Sequence, residues 1–347
     1  MNVYDGIHWN IYEILPYQRN FNFINSIRST GKTYTYQMFI LDKAITKHQE
    51  FIMIVRTQNE KQEGVFEEAF QKVILEKFPE YQISFTKDEC YLESDNENEP
   101  KRILGYCIAL SEYVKVKKRT FPNVKYMYFE EYMLENNDMS KYVEGRREPD
   151  LLLNIYHTVD REQDRVILFA FGNNTAFYNP YHLHPAFKIP KIEVGEIWTS
   201  ENVLFQRIKP SEKLKKLKSK SKFLKMIDNT DYGKYANKGE YVDDNFNLIE
   251  PITTNTRYLM TLIFEGNKFG VSTDMNKGVT YISDKIDPYC TLVFALTLDD
   301  HSENTTLTRG NKISHLQWLS RNYKLGNVRY TSIEVKLACE KGLAYLL

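Results

Sequence analysis

Short apolar stretches alternate with longer amphipathic ones over the first half of the chain. The apolar stretches predict β-strands, and the amphipathic ones predict helices after Lys32, Glu60 and Pro149. Strands that alternate with helices form a mainly parallel sheet covered on both faces, so this half is predicted to have an α/β fold. The predicted strands are Phe21–Ile27, Phe51–Arg56, Ile103–Leu110, Val124–Phe129 and Val166–Phe171.

This pattern changes at two places. The acidic segment Asp88–Glu99 predicts a hairpin tip or a solvated loop. Beyond Asp228 the chain has the pattern of strands and hairpins, among them Phe269–Tyr281 bent around Asn276–Gly278, and then a final helical stretch. The C-terminal part is therefore predicted to be a smaller α+β domain.

The clearest charge cluster lies between these two parts. From Arg207 to Lys225 the chain has nine Lys or Arg residues and one acid, Glu212. A solvated helix face would usually alternate in sign, so the run favours contact with nucleic-acid phosphates, without sequence specificity. We assign this contact to Lys215, Lys216, Lys218 and Lys220. The predicted division is an α/β domain at 1–200, a basic linker at 201–227 and a C-terminal domain at 228–347.

Composition narrows the class of protein. The chain has 347 residues, 42% of them hydrophobic, which is typical of a globular protein with room for two cores. Its formal net charge is zero, so a nucleic-acid partner has to be argued from local clusters. The four cysteines form no C-x-x-C pair, which argues against a disulfide framework or a zinc finger. No signal peptide or membrane span is indicated, and a reduced, cytoplasmic location is expected.

A phosphate loop is predicted where the first strand meets the first helix. Successive N–H groups of such a loop and the positive end of the helix hold phosphate oxygens. Lys32 would neutralise the β- and γ-phosphates, and the Thr33 hydroxyl would ligate Mg²⁺. The sequence thus predicts a nucleoside triphosphate site formed by Ser26, Arg28, Ser29, Thr30, Gly31, Lys32 and Thr33.

The loop departs from the usual pattern at Ser26, five residues before Gly31, where glycine is expected. We expect the serine to exclude a relaxed positive φ and to crowd the loop. The alternative to a phosphate loop is a plain strand-to-helix turn capped by Ser29 or Thr30.

Two acids follow the predicted strand Val124–Phe129. Glu130 and Glu131 would lie at the carboxyl edge of the sheet, where α/β folds bind ligands. In a P-loop ATPase the first acid holds the Mg²⁺ shell and the second polarises the attacking water. Glu130 stands where aspartate is usual, and its extra methylene puts the metal contact in question. The alternative is a loop that happens to open with two acids.

A third strand also ends in polar residues. Asn173, after the strand Val166–Phe171, is predicted to bond the γ-phosphate or the lytic water. The alternative is a simple Gly-Asn turn. The Asn173 prediction is favoured because three strand ends converge on one edge.

Several separate segments resemble the DNA-packaging ATPase of small podoviruses of the phi-twenty-nine type. The likeness covers nearly the whole chain and keeps the segments in the same order. They are Ser26–Thr33, the strand ending in Glu130 and Glu131, Leu151–Val159 with Arg161 and Arg165, Gly172–Asn174, Asn179–Tyr181, Asp228–Gly233, Phe269–Tyr281 and Leu296–Asp300.

The resemblance implies a ring motor, a homopentamer, on the portal of an empty prohead in the host cytoplasm. It would drive viral double-stranded DNA inward using ATP and Mg²⁺, with DNA or a structural RNA against the basic linker. The implied fold is a P-loop NTPase of the additional-strand, catalytic-glutamate type, followed by an RNase H-like domain without nuclease activity.

The resemblance also suggests residues that act between subunits. Arg161 matches by position an arginine that reaches into the neighbour's site, where a guanidinium neutralises charge on the transferred phosphoryl group. Arg165 is the second choice, and a solvated helix end is the alternative for both. Lys117 matches another basic position of the family, which would reach a neighbour's phosphates or DNA.

Two other classes of function remain open. A terminase-like enzyme would also cut DNA, which requires several carboxylates on two metal ions, and Asp274, Asp299 and Asp300 are the available acids. A P-loop switch would bind nucleotide without rapid turnover. His182 and His184 could ligate a metal, although surface or packing roles are favoured.

Overall fold

The computed structural model describes two compact units, Met1–Asp244 and Asn245–Leu347. The described residues are 6–62, 64–94, 100–134, 141–177, 179–230, 233, 241, 248–308 and 313–343.

Nine strands of the described residues form one sheet in the first unit, in the order β3-β4-β5-β2-β6-β7-β1-β9-β8. The strands from β5 to β9 in that order pair in parallel, and the outer strands β3, β4 and β8 pair antiparallel. Their bounds are β1 (Phe21–Ser26), β2 (Glu50–Val55), β3 (Ile83–Phe85), β4 (Glu89–Leu92), β5 (Arg102–Ala109), β6 (Val124–Glu130), β7 (Ile167–Asn173), β8 (Ile197–Thr199) and β9 (Val203–Arg207).

Helices cover both faces of this sheet. On β1, Ile24 joins the apolar cluster under α1 and α2, and its neighbour Phe23 joins the cluster under α4 and α5, because successive strand residues face opposite sides. The helices are α1 (Lys32–Lys47), α2 (Val65–Lys77), α3 (Tyr113–Val116), α4 (Glu148–Asp160), α5 (Pro180–Leu183), α6 (Glu212–Lys218) and α7 (Lys222–Ile227). Short 3-10 turns lie at Ile11–Glu13, Leu15–Tyr17, Gln58–Glu60, Leu110–Glu112 and Gly145–Arg147. The predicted α/β fold is confirmed.

The predicted strands are present, with ends shifted by one or two residues. The acidic segment Asp88–Glu99 was predicted as a hairpin tip or loop, and this is wrong for Glu89–Leu92, which is β4. Cys90 is fully buried there, and β4 pairs with β3 and β5, so core packing and backbone hydrogen bonds outweigh the local charge. Residues 95–99 of the segment lie outside the described residues.

The predicted linker at 201–227 is also wrong at its beginning. Val203–Arg207 is β9, which pairs in parallel with β1 and has every residue buried. The first unit then continues to Asp244, beyond the predicted boundary at 228. The strand was missed because the charge of Arg207 is typical of a solvated segment. In the structure, Arg207 is buried and its Nη1 donates to the Ile192 carbonyl oxygen (2.7 Å).

The second unit has a mixed sheet in the order β14-β13-β10-β11-β12-β15. Its middle strands β10, β11 and β12 are antiparallel, and the predicted hairpin at Asn276–Gly278 joins β11 to β12. The helices α8 and α9 pack on its apolar core through side chains such as Leu319 and Cys339. The bounds are β10 (Arg257–Phe264), β11 (Asn267–Asp274), β12 (Val279–Ser283), β13 (Val293–Ala295), β14 (Thr306–Leu307), α8 (Ser314–Lys324), β15 (Val328–Tyr330) and α9 (Ile333–Leu343).

Within the residues that are described, no helix is both long enough and apolar enough to span a membrane. All four cysteines are free thiols, and three of them are buried.

A buried ion pair joins β2 to α4 in the first unit. Arg56 Nε lies 2.9 Å from Glu148 Oε2, and both side chains are almost completely buried. The Glu148 carboxylate also accepts hydrogen bonds from Val143 N (2.7 Å) and Tyr181 Oη (2.8 Å). Burial raises the pKa of Glu148, while the neighbouring guanidinium lowers it. Each of the two charges depends on the other for compensation, because neither has access to water.

We predict that Arg56→Met costs about 3–5 kcal/mol in the free energy of unfolding, because it leaves the Glu148 carboxylate buried without its cation. The double variant Arg56→Met/Glu148→Met should lose less than the single variant. Lys101→Met is the matched control: its ammonium pairs with Glu93 at 2.7 Å but is 56% exposed, so a loss below about 1 kcal/mol is expected. Urea unfolding followed by tryptophan fluorescence measures all three. Equal losses for Arg56→Met and Lys101→Met would contradict the prediction.

Candidate nucleotide-binding site

The register of three parallel strands brings the predicted site residues together. Ser26, the last residue of β1, pairs with Asn173, the last residue of β7. Glu130, the last residue of β6, pairs with Phe171 on the other side of β7. The three strand ends therefore lie side by side at the carboxyl edge of the sheet, immediately before the loop that begins α1.

The loop from β1 to α1 has no positive φ at Ser26, as expected for a serine at this position. Ser26 ends a strand, and the positive φ angles fall instead at Ser29 (68°) and Gly31 (72°). The Ser26 hydroxyl forms a hydrogen bond with the Thr30 hydroxyl (2.7 Å) within the loop. Gly31 is sterically required, because a Cβ there would lie 2.5 Å from the His8 ring.

Lys32 reaches the end of β7. Its Nζ donates to Asn173 Oδ1 (3.1 Å), so the two residues predicted to contact the β- and γ-phosphates already contact each other. Burial lowers the pKa of Lys32 to about 8, although Glu130 and Glu131 act in the opposite direction. The ammonium thus lacks a full counter-charge, which an incoming phosphate would supply.

Thr33 and Glu130 meet at the predicted metal position. The Thr33 hydroxyl donates to Glu130 Oε1 (2.7 Å), so the extra methylene of Glu130 still brings its carboxylate to the threonine. Burial raises the pKa of Glu130, and the Thr33 hydrogen bond and Lys32 lower it. A hydroxyl and a carboxylate oxygen are ligands that suit Mg²⁺, which takes its other ligands from water and phosphate. The residues therefore fit the predicted ion.

Glu131 follows Glu130 in a turn that Arg56 fixes. Glu131 has a positive φ of 55°, and its side chain is exposed. Arg56 Nη2 donates to the carbonyl oxygens of Glu131 (3.0 Å) and Tyr132 (3.2 Å). Sequence analysis missed this role of Arg56. The available signal was an arginine at the end of an apolar strand, which is the pattern that identified Glu130 and Asn173.

The residues predicted to act between subunits fall into two groups. Lys117 and Arg161 line one open cavity of about 400 Å³, together with Asn154, His157, Thr158 and Glu162. Arg161 ends α4 with a left-handed φ of 52°, and both cationic side chains are exposed.

Arg165 does not line this cavity, and its role between subunits stays a prediction. Its guanidinium donates to the carbonyl oxygens of Phe121 (2.9 Å), Val124 and Val159. It therefore ties the start of β7 to the chain before β6. Local sequence cannot distinguish such an inward guanidinium from a solvated one.

The basic residues assigned to nucleic acid also differ from one another. Lys215, Lys216 and Lys220 are exposed, and Lys215 pairs with Glu212 (2.7 Å). Lys218 is half-buried, and its Nζ donates to the Arg28 carbonyl oxygen in the phosphate loop (3.1 Å). This contact with the loop distinguishes Lys218 from the other three lysines.

The two histidines have packing and surface roles, as favoured from the sequence. His182 is fully buried, with its Nε2 2.8 Å from the Tyr132 hydroxyl and its ring against Phe177 and Phe205. Burial lowers the pKa of His182 to about 3. His184 Nε2 lies 3.2 Å from an oxygen of Asp150.

The acids of the second unit do not converge. Asp300 accepts hydrogen bonds from the N–H groups of Glu265 (3.0 Å) and Gly266 (2.8 Å), at the start of β11. Asp274 ends β11 and accepts from Thr253 Oγ1 (2.8 Å). The ends of this eight-residue strand are about 23 Å apart, far more than a two-metal centre spans. In the described part of the chain, no three or more His, Cys, Asp or Glu side chains form a group suited to a metal ion.

Comparisons with known proteins identify the family of this chain. Residues 3–342 match the family model described as podovirus DNA encapsidation protein (Gp16). The chain is similar to the DNA packaging proteins of Bacillus phage PZA and Bacillus phage phi29, each 26% identical over 328 residues, or 94% of this chain and 93% of the relative. It also resembles a chain of the bacteriophage phi-29 viral genome packaging motor assembly, with a TM-score of 0.73 and 24% identity over 98% of this chain and 100% of that one. The family resemblance seen in the sequence is confirmed, and the chain belongs to the podovirus DNA encapsidation protein (Gp16) family.

Proposed function

We propose that this protein is the ATP-driven motor that packages viral double-stranded DNA into an empty prohead. The observation that carries the proposal is the meeting of Lys32, Glu130 and Asn173 at one sheet edge beside a phosphate loop, in a chain of the DNA encapsidation family. The motor acts on the portal of the prohead, in the host cytoplasm.

The sheet order supports the finer fold assignment. Strand β7 lies between β1, which leads into the phosphate loop, and β6, which ends in the two acids. This inserted strand is the feature of a P-loop NTPase of the additional-strand, catalytic-glutamate type. For the second unit, three antiparallel strands flanked by parallel ones support an RNase H-like domain.

Each residue at the edge has a distinct role in ATP hydrolysis. Lys32 pairs with the β- and γ-phosphates, and Asn173 turns from the lysine to the γ-phosphate or the lytic water. Thr33 and Glu130 would hold Mg²⁺, which would supply positive charge beside the phosphate oxygens. Glu131 accepts the proton of the water that attacks the γ-phosphorus, and the bond to the bridging oxygen of ADP breaks.

We assign Lys117 and Arg161 to the site of a neighbouring subunit in a homopentameric ring. Both cations face one open cavity at the surface, which suits an anion supplied by another chain. A guanidinium that arrives with the neighbour makes hydrolysis depend on subunit contact. Lys215, Lys216 and Lys220, all exposed, are assigned to phosphates of duplex DNA or of a structural RNA.

A terminase-like motor with an active nuclease is the alternative. It is disfavoured by the separation of Asp274 and Asp300 at opposite ends of β11. A slow P-loop switch is distinguished from a motor by rate, because only a motor should hydrolyse ATP faster when proheads and DNA are added.

Substitutions at two residues should affect ATP binding and ATP hydrolysis separately. Lys32→Ala removes the charge facing the phosphates and should raise the Kd for ATP by at least about 30-fold. Glu131→Gln keeps the binding site and should lower kcat by about 10²–10⁴-fold. Fluorescent-nucleotide titration and phosphate release measure the two effects. If Glu131→Gln hydrolyses ATP at nearly the wild-type rate, Glu131 is not the group that polarises the water, and Glu130 takes that role.

Nucleotide affinity should fall above about pH 8. Burial lowers the pKa of Lys32 to about 8 in the free site, and pairing with phosphate raises it in the complex. Binding at higher pH therefore requires proton uptake, so the Kd should rise by up to about tenfold per pH unit. The matched control is Lys32→Arg, which stays charged in this range and should have a flatter profile. Identical profiles for the two proteins would assign the effect to another group.

Mixed rings test the role of Arg161. Arg161→Ala should leave ATP binding by an isolated subunit intact, while assembled rings lose hydrolysis. Combining Arg161→Ala with Lys32→Ala subunits should restore part of the activity, because a subunit lacking only its arginine can hydrolyse beside a neighbour that has one. Arg165→Ala, by contrast, should act through stability. Mixed rings without recovery, together with lost ATP binding by isolated Arg161→Ala subunits, would place Arg161 in its own subunit's site.

A further inference from the structure

Lys218 has an environment that the other lysines of the basic segment do not share. It is the last residue of α6, and its Nζ donates to the Arg28 carbonyl oxygen (3.1 Å). The beginning of α6 is anchored nearby, because Leu214 is buried and the Ser211 hydroxyl donates to the Ile7 carbonyl (2.9 Å). The helix therefore lies against the phosphate loop and the segment that precedes β1.

We propose that Lys218 is a positioning residue, which holds the peptide between Arg28 and Ser29 so that the Ser29 N–H faces the bound phosphates. The proposal rests on the ATP site proposed above. It removes Lys218 from the group assigned to nucleic acid.

The geometry of a trans peptide supports this role. The C=O and N–H groups of one peptide point in opposite directions. Because Lys218 binds the Arg28 carbonyl from outside the loop, the Ser29 N–H is directed to the opposite side. A second restraint has the same form: Trp9 N donates to the Thr30 carbonyl (2.9 Å), which orients the Gly31 N–H in the same way. An anion-binding nest forms where successive N–H groups converge, and the proposal is that these two do so.

Ser29 needs such a restraint. Its φ of 68° is left-handed, a conformation that costs a residue with a Cβ about 1–3 kcal/mol unless the surroundings hold it. Ser29 is also exposed, so core packing does not fix it. Gly31 differs because it adopts a positive φ at little cost and packs on His8. The peptide before Ser29 is therefore the part of the loop that depends most on an outside contact.

Charge adds to the effect. A cationic donor makes a stronger hydrogen bond to a carbonyl oxygen than a neutral donor does. It also polarises the peptide, which makes the Ser29 N–H a better donor to phosphate. Burial lowers the pKa of Lys218, as expected for a half-buried ammonium placed against the loop.

The test compares two lysines of one helix. Lys218→Met and Lys216→Met make the same chemical change, but only Lys218 contacts the loop and Lys216 is exposed. Lys218→Met should raise the Kd for a fluorescent ATP analogue about tenfold and leave kcat at saturating ATP within about twofold of wild type. Lys216→Met should leave that Kd unchanged. Lys218→Arg, which keeps a cationic donor, should restore most of the affinity.

In a second measurement, the binding of a random-sequence DNA duplex, the effects of the two variants should be reversed. Lys216→Met should weaken DNA binding and reduce the salt slope by about 0.9, whereas Lys218→Met should leave the slope unchanged. The reverse result, with Lys218→Met altering only DNA binding, would overturn the proposal. If Lys218→Met proves unstable by thermal unfolding, Lys218→Gln replaces it.

Lys32→Ala separates this proposal from the proposed function. If Lys32→Ala loses nucleotide binding and Lys218→Met does not, only the role of Lys218 is wrong. If neither variant changes nucleotide binding, the phosphate-loop site itself is wrong.

Discussion

Parallel pairing of β6, β7 and β1 is the constraint on which the candidate site depends. The β1–β7 register sets Ser26 beside Asn173, and the β6–β7 register sets Glu130 beside Phe171, so three strands that are separate in the sequence end at one edge. A slip of one residue would turn every side chain of a strand to the other face and separate these groups. Burial of both faces by helices makes such a slip expensive, because each strand contributes alternately to two apolar clusters.

The turn and the loop at this edge are held by cations that do not themselves react. Arg56 donates to the carbonyl oxygens of Glu131 and Tyr132, and Glu148 keeps the guanidinium in place. Lys218 binds the phosphate loop from the outside. Both contacts are to carbonyl oxygens, so they fix backbone and leave the acid and the N–H groups available. This arrangement places the reacting groups on elements that are supported by a second layer of hydrogen bonds.

The site itself is electrostatically incomplete without its ligands. Burial lowers the pKa of Lys32 and raises the pKa of Glu130, so each group is less stable in its charged form than it would be in water. A phosphate beside Lys32 and a cation beside Glu130 would reverse both effects. For the proposed ATP and Mg²⁺, each ligand would therefore favour the charged form of the group that it meets.

Local sequence was sufficient to predict five of the six strands in the parallel part of the sheet, three of its helices and the polar residues at the strand ends. These follow from hydrophobic periodicity, which is a local property, and from motifs that occupy consecutive positions. The phosphate loop and Glu130 were found in this way, and the family resemblance joined them to a packaging function. The hairpin at Asn276–Gly278 likewise follows from local turn chemistry.

Which charged side chains face inward depends on contacts between segments that are distant in the sequence. Arg56 and Glu148 are 92 positions apart, and Lys218 and Arg28 are 190 apart, so no local pattern relates them. Arg165 looked like a surface cation until its carbonyl partners were known, and Arg207 concealed the strand β9 for the same reason. The cost of burying a charge is set by the groups around it in space, and that is information that a local stretch of sequence does not contain.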